Sequence, residues 1–161
     1  YRRQRQMCIR DRGNMSELKA LAGGGCSVSG VDVDPKDVLS ETNREETIRL
    51  AKTVANTWGA VVLASGKTDL VTDGREVHLI DNGCEMMGRI TGTGCMLNVL
   101  TAAYMSVGKP MTAAVAACVV LGISGEMAAG QCRGTGSFQI AFQDALSCMK
   151  DEDIRERMRV S

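Results

Sequence analysis

Thr91-Gly92-Thr93-Gly94-Cys95, followed by Met96, Leu97 and a helical run, is the stretch of this 161-residue sequence best equipped for chemistry. Its glycines let the backbone approach a ligand closely, and the amides of the helical turn that follows lie at the positive end of the helix dipole, facing an anion. Such a turn can cradle the group being moved in a phosphoryl transfer, where the protein's work is mostly positioning and neutralising charge. A G-x-G before a helix is also an ordinary tight turn, so the motif alone leaves both readings open.

A second polar loop sits in a comparable place. Residues 60–64 (AVVLA) form a continuous, β-branched run, the pattern of a strand covered on both faces in a parallel sheet. It ends in Ser65-Gly66-Lys67-Thr68-Asp69, at the edge where α/β sheets bind ligands. Ser65 can hydrogen-bond a nucleotide phosphate, and Asp69 can orient the loop or lie near a hydrated metal. The same residues also serve simply to turn the chain.

The elements that must hold these loops follow from periodicity. Asn43 with Glu46 forms a capping box, Ile48, Leu50, Ala51, Val54 and Ala55 give one apolar helical face, and Gly59 supplies the stop. Residues 70–72 and 77–80, separated by Asp73 and Gly74, predict an antiparallel hairpin. Two apolar helices are expected over 95–107 and 112–129, with Pro110 opening the second, and a last one from Ser137 carries Phe138, Phe142, Leu146 and Met149 on one face. A short helical pattern over 16–21 runs into Gly23–Gly25, and 28–33 reads as a strand or loop. The segment 1–11 is basic and aperiodic and reads as foreign or disordered; the tail 151–161 is charged and is expected to fray. The order of elements suits an α/β layer architecture.

Composition narrows the partners. Lys plus Arg and Asp plus Glu are equal at 19 each, so no net field draws the chain to nucleic acid or to an anionic membrane, and a small molecule is expected. Seven cysteines without a C-x-x-C pair read as reduced thiols packed as small hydrophobes, which implies a cytoplasmic location. The apolar stretch 112–130 contains Glu126 and several glycines, and reads as a buried helix rather than a membrane span, with a structural role for Glu126. His78 alternates with apolar neighbours in a strand and reads as a surface residue.

Gly92-Thr93-Gly94-Cys95, Ser65-Gly66 with Asp69, Arg12-Gly13-Asn14 with Ser16-Glu17, Gly30-Val31-Asp32 and Gly134-Thr135-Gly136-Ser137-Phe138 occur in the order seen in hydroxyethylthiazole kinases. The resemblance covers nearly everything from Arg12 to Met149. It is specific, because other ribokinase-like kinases carry aspartate, the base, where this chain has Cys95. It implies a ribokinase-like layered fold with a mostly parallel sheet and flanking helices, here N-terminally truncated, with 12–150 as the C-terminal part of the kinase domain.

The resemblance further implies transfer of the γ-phosphoryl of ATP to the primary hydroxyl of 4-methyl-5-(2-hydroxyethyl)thiazole, with Mg2+, in a homotrimer. Carried over by position, Arg12, Ser65 and Gly66 are nucleotide ligands, Gly92 is a substrate contact, Glu17 helps hold hydrated magnesium, and Thr93, Gly94 and Cys95 form the catalytic turn. A neutral, buried thiol at Cys95 is a poor proton acceptor, so catalysis would lean on positioning and charge stabilisation. Lys67 stands where an acidic residue is usual, and Thr135 replaces the usual proline. The alternatives are a hydroxymethylpyrimidine-type kinase, against which Cys95 in place of aspartate argues, and a nucleotide-binding fragment without turnover, because the part of the family that supplies several central strands and part of the thiazole pocket precedes Arg12.

Overall fold

A computed structural model of the chain describes residues 11–13 and 44–161, which divide after Leu79 into two compact units. The elements expected over 16–21 and 28–33, Glu17 and the cap at Asn43 lie outside the described residues.

In the first unit, β1 (Asp11–Gly13), α1 (Arg44–Trp58), β2 (Val62–Ala64), β3 (Asp69–Thr72) and β4 (Val77–Ile80) follow one another, and the strands lie side by side in chain order. α1 buries Thr47, Ala51, Val54 and Ala55, close to the face that the apolar spacing predicts. It stops where Gly59 takes φ +60° and the Ala60 N–H reaches back to the Ala55 carbonyl at 3.1 Å, a Schellman closure that a side chain at Gly59 would strain. The buried face of α1 packs with Val62, Ala64, Leu70 and Leu79, while Ile48, Leu50 and Val77 fill in around them. Every residue of β2 is buried, as its uninterrupted apolar run requires.

The described strands form an α/β sheet that mixes directions rather than the mostly parallel one expected. β1 runs parallel to β2, with Asp11 opposite Val62 and Gly13 opposite Ala64, but β3 runs antiparallel to β2. The reason is chain length: residues 65–68 are too few for the crossover of about a dozen that a parallel neighbour needs. The β3–β4 hairpin forms where Asp73 and Gly74 place it. Asp73 Oδ1 accepts the N–H groups of Arg75 and Glu76 at 2.8 and 2.9 Å, and these bonds, the Arg75 one foremost, hold its carboxyl below the usual range.

The second unit is built round one helix. After a 3-10 turn (Glu85–Arg89) come α2 (Thr93–Met105), α3 (Pro110–Ala129), α4 (Thr135–Ser147) and α5 (Asp151–Arg157). α3 is apolar on all sides and packs against α2, α4, α5 and the 3-10 turn, so the stretch that is long and apolar enough for a membrane span is two-thirds buried inside the protein. Pro110 takes its first turn, where a missing N–H costs nothing. Phe138 and Phe142 of α4 are fully buried and stack with ring centres 5.7 Å apart.

Two glycines let α3 touch backbone. A Cβ on Gly122 would fall 2.6 Å from the Asn82 carbonyl carbon, oxygen and Cβ, and one on Gly125 would fall 2.4 Å from Met87 Sδ. The Cys84 thiol donates to the Gly125 carbonyl at 3.3 Å. The segment entering the 3-10 turn is therefore seated directly on α3.

The tail does not fray. Acidic residues fill the first turn of α5 and Arg155 and Arg157 its last, matching the helix dipole, and Asp153 accepts the Lys150 N–H at 3.1 Å. Beyond it Val160 bridges antiparallel to Ile80. Buried Asn82 donates to Glu126 at 3.1 Å and to the Arg157 carbonyl at 2.8 Å, and accepts the Arg159 N–H at 2.8 Å. Glu126 also accepts the Gly83 N–H at 2.8 Å and pairs with the Arg159 guanidinium at 2.5 Å. Burial works to raise the Glu126 pKa, but the Gly83 amide, Arg159 and Asn82 together outweigh it and hold the carboxyl below its ordinary value. Glu126 has the structural role its setting suggests.

Two stability measurements follow. Gly122→Ala gains about 1 kcal/mol of helix propensity but drives a methyl into the Asn82 backbone, so urea unfolding is expected to show a net loss of about 1–3 kcal/mol. Gly130→Ala, where the nearest atom to the new Cβ is 3.7 Å away, stays within about 0.5 kcal/mol. A depressed carboxylate contributes stability that is present above its unfolded pKa and lost as pH falls through its folded one. Glu126→Gln is therefore less stable than the parent by about 1–2 kcal/mol at pH 7, with Arg159 half exposed and its pairing discounted, and the difference shrinks below about pH 4.5.

Candidate functional site

The glycine turn is built as its sequence demands. Gly92 caps α2 with φ +100° and ψ −5°, a backbone that side chains rarely adopt, and its carbonyl accepts the Met96 N–H at 2.9 Å as the first bond of the helix. Thr93, Gly94 and Cys95 make up the first turn, two residues earlier than the periodicity alone places the helix start. These residues lie at the positive end of the dipole of a 13-residue helix, the end that favours an anion. Among the described residues, nothing lies within 4 Å of where a Cβ on Gly92 would sit.

Cys95 departs from its expected burial. It is exposed on that first turn, while Leu97, two residues on, takes the buried position against the rest of the unit. Its side chain therefore lies at the surface instead of acting as a small hydrophobe in the core. Cys84, Cys118, Cys132 and Cys148 are, like Cys95, thiols outside any disulfide.

In the first unit the 65–69 loop is held by its own aspartate. The Gly66 N–H donates to Asp69 Oδ1 at 2.9 Å, which is the orienting role open to Asp69 from sequence. Ser65 is half-buried and Gly66 and Lys67 are exposed, so the loop presents its polar groups at the end of β2. Arg12 lies opposite Leu63 in the parallel register, two residues before Ser65, so β1 and β2 run to the same end of the sheet. Glu17 lies outside the described residues. Among the described residues no group of three or more His, Cys, Asp or Glu is placed to hold a metal. His78 lies half-buried in β4.

The start of α4 repeats the use of glycine. Gly134 is its N-cap in extended backbone, and Ser137 Oγ accepts the N–H groups of Arg133 and Gly134 at 3.1 and 3.2 Å. Thr135 occupies the first helical position, where proline is accommodated at no cost, so threonine there changes stiffness and not the path of the chain.

Residues 2–152 match the model of the hydroxyethylthiazole kinase family. The chain belongs to that family. It is 39% identical over 150 residues to hydroxyethylthiazole kinase 2 of Clostridium botulinum strain Langeland, and 37% identical over 160 residues to hydroxyethylthiazole kinase 1 of Methanosphaera stadtmanae; each comparison covers 93% of this chain and 56% of the relative. A solved hydroxyethylthiazole kinase protein from Pyrococcus horikoshii OT3 superposes with a TM-score of 0.79 at 33% identity, covering 93% of this chain and 53% of that one. This member of the family thus spans little more than half the length of the curated relatives it matches. The family match begins at residue 2, so it takes in most of the segment that composition sets apart as foreign, and Asp11 at the end of that segment is the first residue of β1.

Gly92 offers the sharpest local test. Because no atom obstructs a new Cβ there, any penalty comes from the backbone angle alone, and Gly92→Ala is expected to lower stability by about 1–2 kcal/mol in chemical denaturation. A neutral result would mean that the turn does not hold this conformation in solution.

Proposed function

We propose that this member of the hydroxyethylthiazole kinase family transfers the γ-phosphoryl of ATP to the primary hydroxyl of 4-methyl-5-(2-hydroxyethyl)thiazole, a step of thiamine salvage. The observation that carries the reading is the Thr91–Cys95 turn, with Gly92 in its left-handed conformation opening α2, in a chain whose family match spans nearly its whole length. In the transfer the substrate oxygen bonds to the γ-phosphorus, the bond from that phosphorus to the β,γ-bridging oxygen breaks, ADP leaves with the electron pair, and the hydroxyl proton passes to solvent.

The amides of Thr93, Gly94 and Cys95 are assigned to stabilise charge on the moving group, and Gly92 to let the substrate approach the backbone. Arg12, Ser65 and Gly66 are assigned to the nucleotide phosphates, supported by the shared sheet edge of β1 and β2 and by the Asp69 clamp on the loop. Magnesium, when bound with the nucleotide, neutralises charge on its phosphate oxygens. Glu17 is assigned to its hydration shell, consistent with the habit of this ion of keeping several waters and using one or two carboxylates. Cys95 is exposed rather than buried, so burial no longer argues against it as an acceptor; the assignment of the rate to positioning and charge stabilisation rests on the general character of phosphoryl transfer. The same reading carries a cytoplasmic protein, a small-molecule partner, a homotrimer, and a complete ribokinase-like sheet that is mostly parallel and flanked by helices.

A different ribokinase-like kinase of the hydroxymethylpyrimidine type and a chain that binds nucleotide without turning it over are the other outcomes to be separated. ATP consumption measured with hydroxyethylthiazole and with hydroxymethylpyrimidine, beside calorimetry with ATP and magnesium, separates the cases. Turnover with the thiazole alcohol alone is expected. Preference for the pyrimidine would reassign the substrate, and nucleotide binding without turnover would remove the activity from this chain.

A further inference from the structure

We propose that Arg159 is a positioning residue for the Gly92 turn, acting through Glu126 and the segment 81–91; the proposal rests on the reading of that turn as the phosphoryl site. Residues 82–84 enter the 3-10 turn, which runs to Arg89, and only Ile90 and Thr91 separate it from Gly92. The position of Gly92 is therefore fixed from two sides, by α2 packed on α3 and by the 81–91 segment packed on the same helix.

That segment has an external clamp. Arg159 meets it with both backbone and side chain: its N–H goes to Asn82 Oδ1 at 2.8 Å, its carbonyl accepts the Asp81 N–H at 3.1 Å, and its Nη2 donates to the Asp81 carbonyl at 2.7 Å. The same guanidinium reaches both Glu126 oxygens, at 2.5 and 3.3 Å, while Glu126 takes the Gly83 N–H. One side chain near the end of the chain thus ties α3, the 81–83 backbone and the tail together. The fork geometry needed for three acceptors is a property of arginine that lysine lacks.

In Arg159→Ala the two backbone bonds remain and the tail keeps its place beside Ile80, so what is lost is the link from the tail to the Asp81 carbonyl and Glu126. The expected consequence is local: slack in 81–91 that passes to the turn.

Hydrogen–deuterium exchange on the whole chain reads this directly. In Arg159→Ala, amides of 82–96 are expected to exchange about tenfold faster, with those of 113–125 in α3 changed less than about twofold. Arg159→Lys is expected to fall between the two, and Arg155→Ala, a charge control on α5, to match the parent. Turnover of the thiazole alcohol falls about ten- to a hundredfold at nearly constant KM in the alanine variant. Unchanged exchange over 82–96, or an equal rise across 80–161, would overturn the proposal, the latter by showing that Arg159 only supports overall stability. If the alanine variant does not fold, the lysine variant carries the comparison under the same criteria. Should the parent chain show no kinase turnover, the functional reading fails, and the exchange pattern still decides whether Arg159 positions the turn.

Discussion

The close approach of α3 to the backbone of Asn82 is the constraint on which the second unit depends. Gly122 admits that backbone and Gly125 admits Met87, so an apolar helix surrounded by other helices still carries one strip where main chain meets main chain. Contact that close brings backbone polar groups out of water, and they must be paired. Asn82, Glu126, the Cys84 thiol and the returning tail supply the partners. The polar cluster beside α3 is thus a consequence of the glycines, and the glycine turn at 91–95 inherits its place from the segment the cluster secures.

The turn combines two properties that work in opposite directions. Gly92 at φ +100° costs conformational entropy and contributes no side chain, yet among the described residues it leaves open the place a Cβ would take at the head of α2. A residue with a side chain would stabilise the unfolded chain less but would both strain the backbone and crowd the approach. The proposed phosphoryl-transfer role of the turn takes its support from family membership, which spans residues 2–152.

Much of this is legible in the sequence because it is local. Gly59, the Asp73–Gly74 hairpin, Pro110 at the head of α3 and the apolar face of α4 each lie within a few residues of the feature they determine. Burial of α3 follows from its composition, and the orienting role of Asp69 follows from an aspartate three residues after the amide it binds. What escaped has long reach or cancels locally. The charged stretch after Lys150 looks free until Ile80 and Val160 are brought together, and nothing near Asn82 marks it as buried. The 3-10 turn over Glu85–Arg89 has no periodic pattern of its own. Cys95 reads as buried from its apolar neighbours, but the helix phase places Leu97 inward and Cys95 outward. The antiparallel partner of β2 follows from a loop too short for a crossover, although the strand itself reads as one from a parallel sheet.

The central claim is that the amides opening α2 receive the phosphates of the transferred group. Backbone amide chemical shifts followed by NMR while a non-hydrolysable ATP analogue, which keeps the γ-phosphate, and magnesium are added to the isotopically labelled chain test it most directly. The largest shifts are predicted at Thr93, Gly94 and Cys95, with smaller ones in the 65–69 loop. Nucleotide binding with these amides unmoved, and the shifts confined elsewhere, would contradict it.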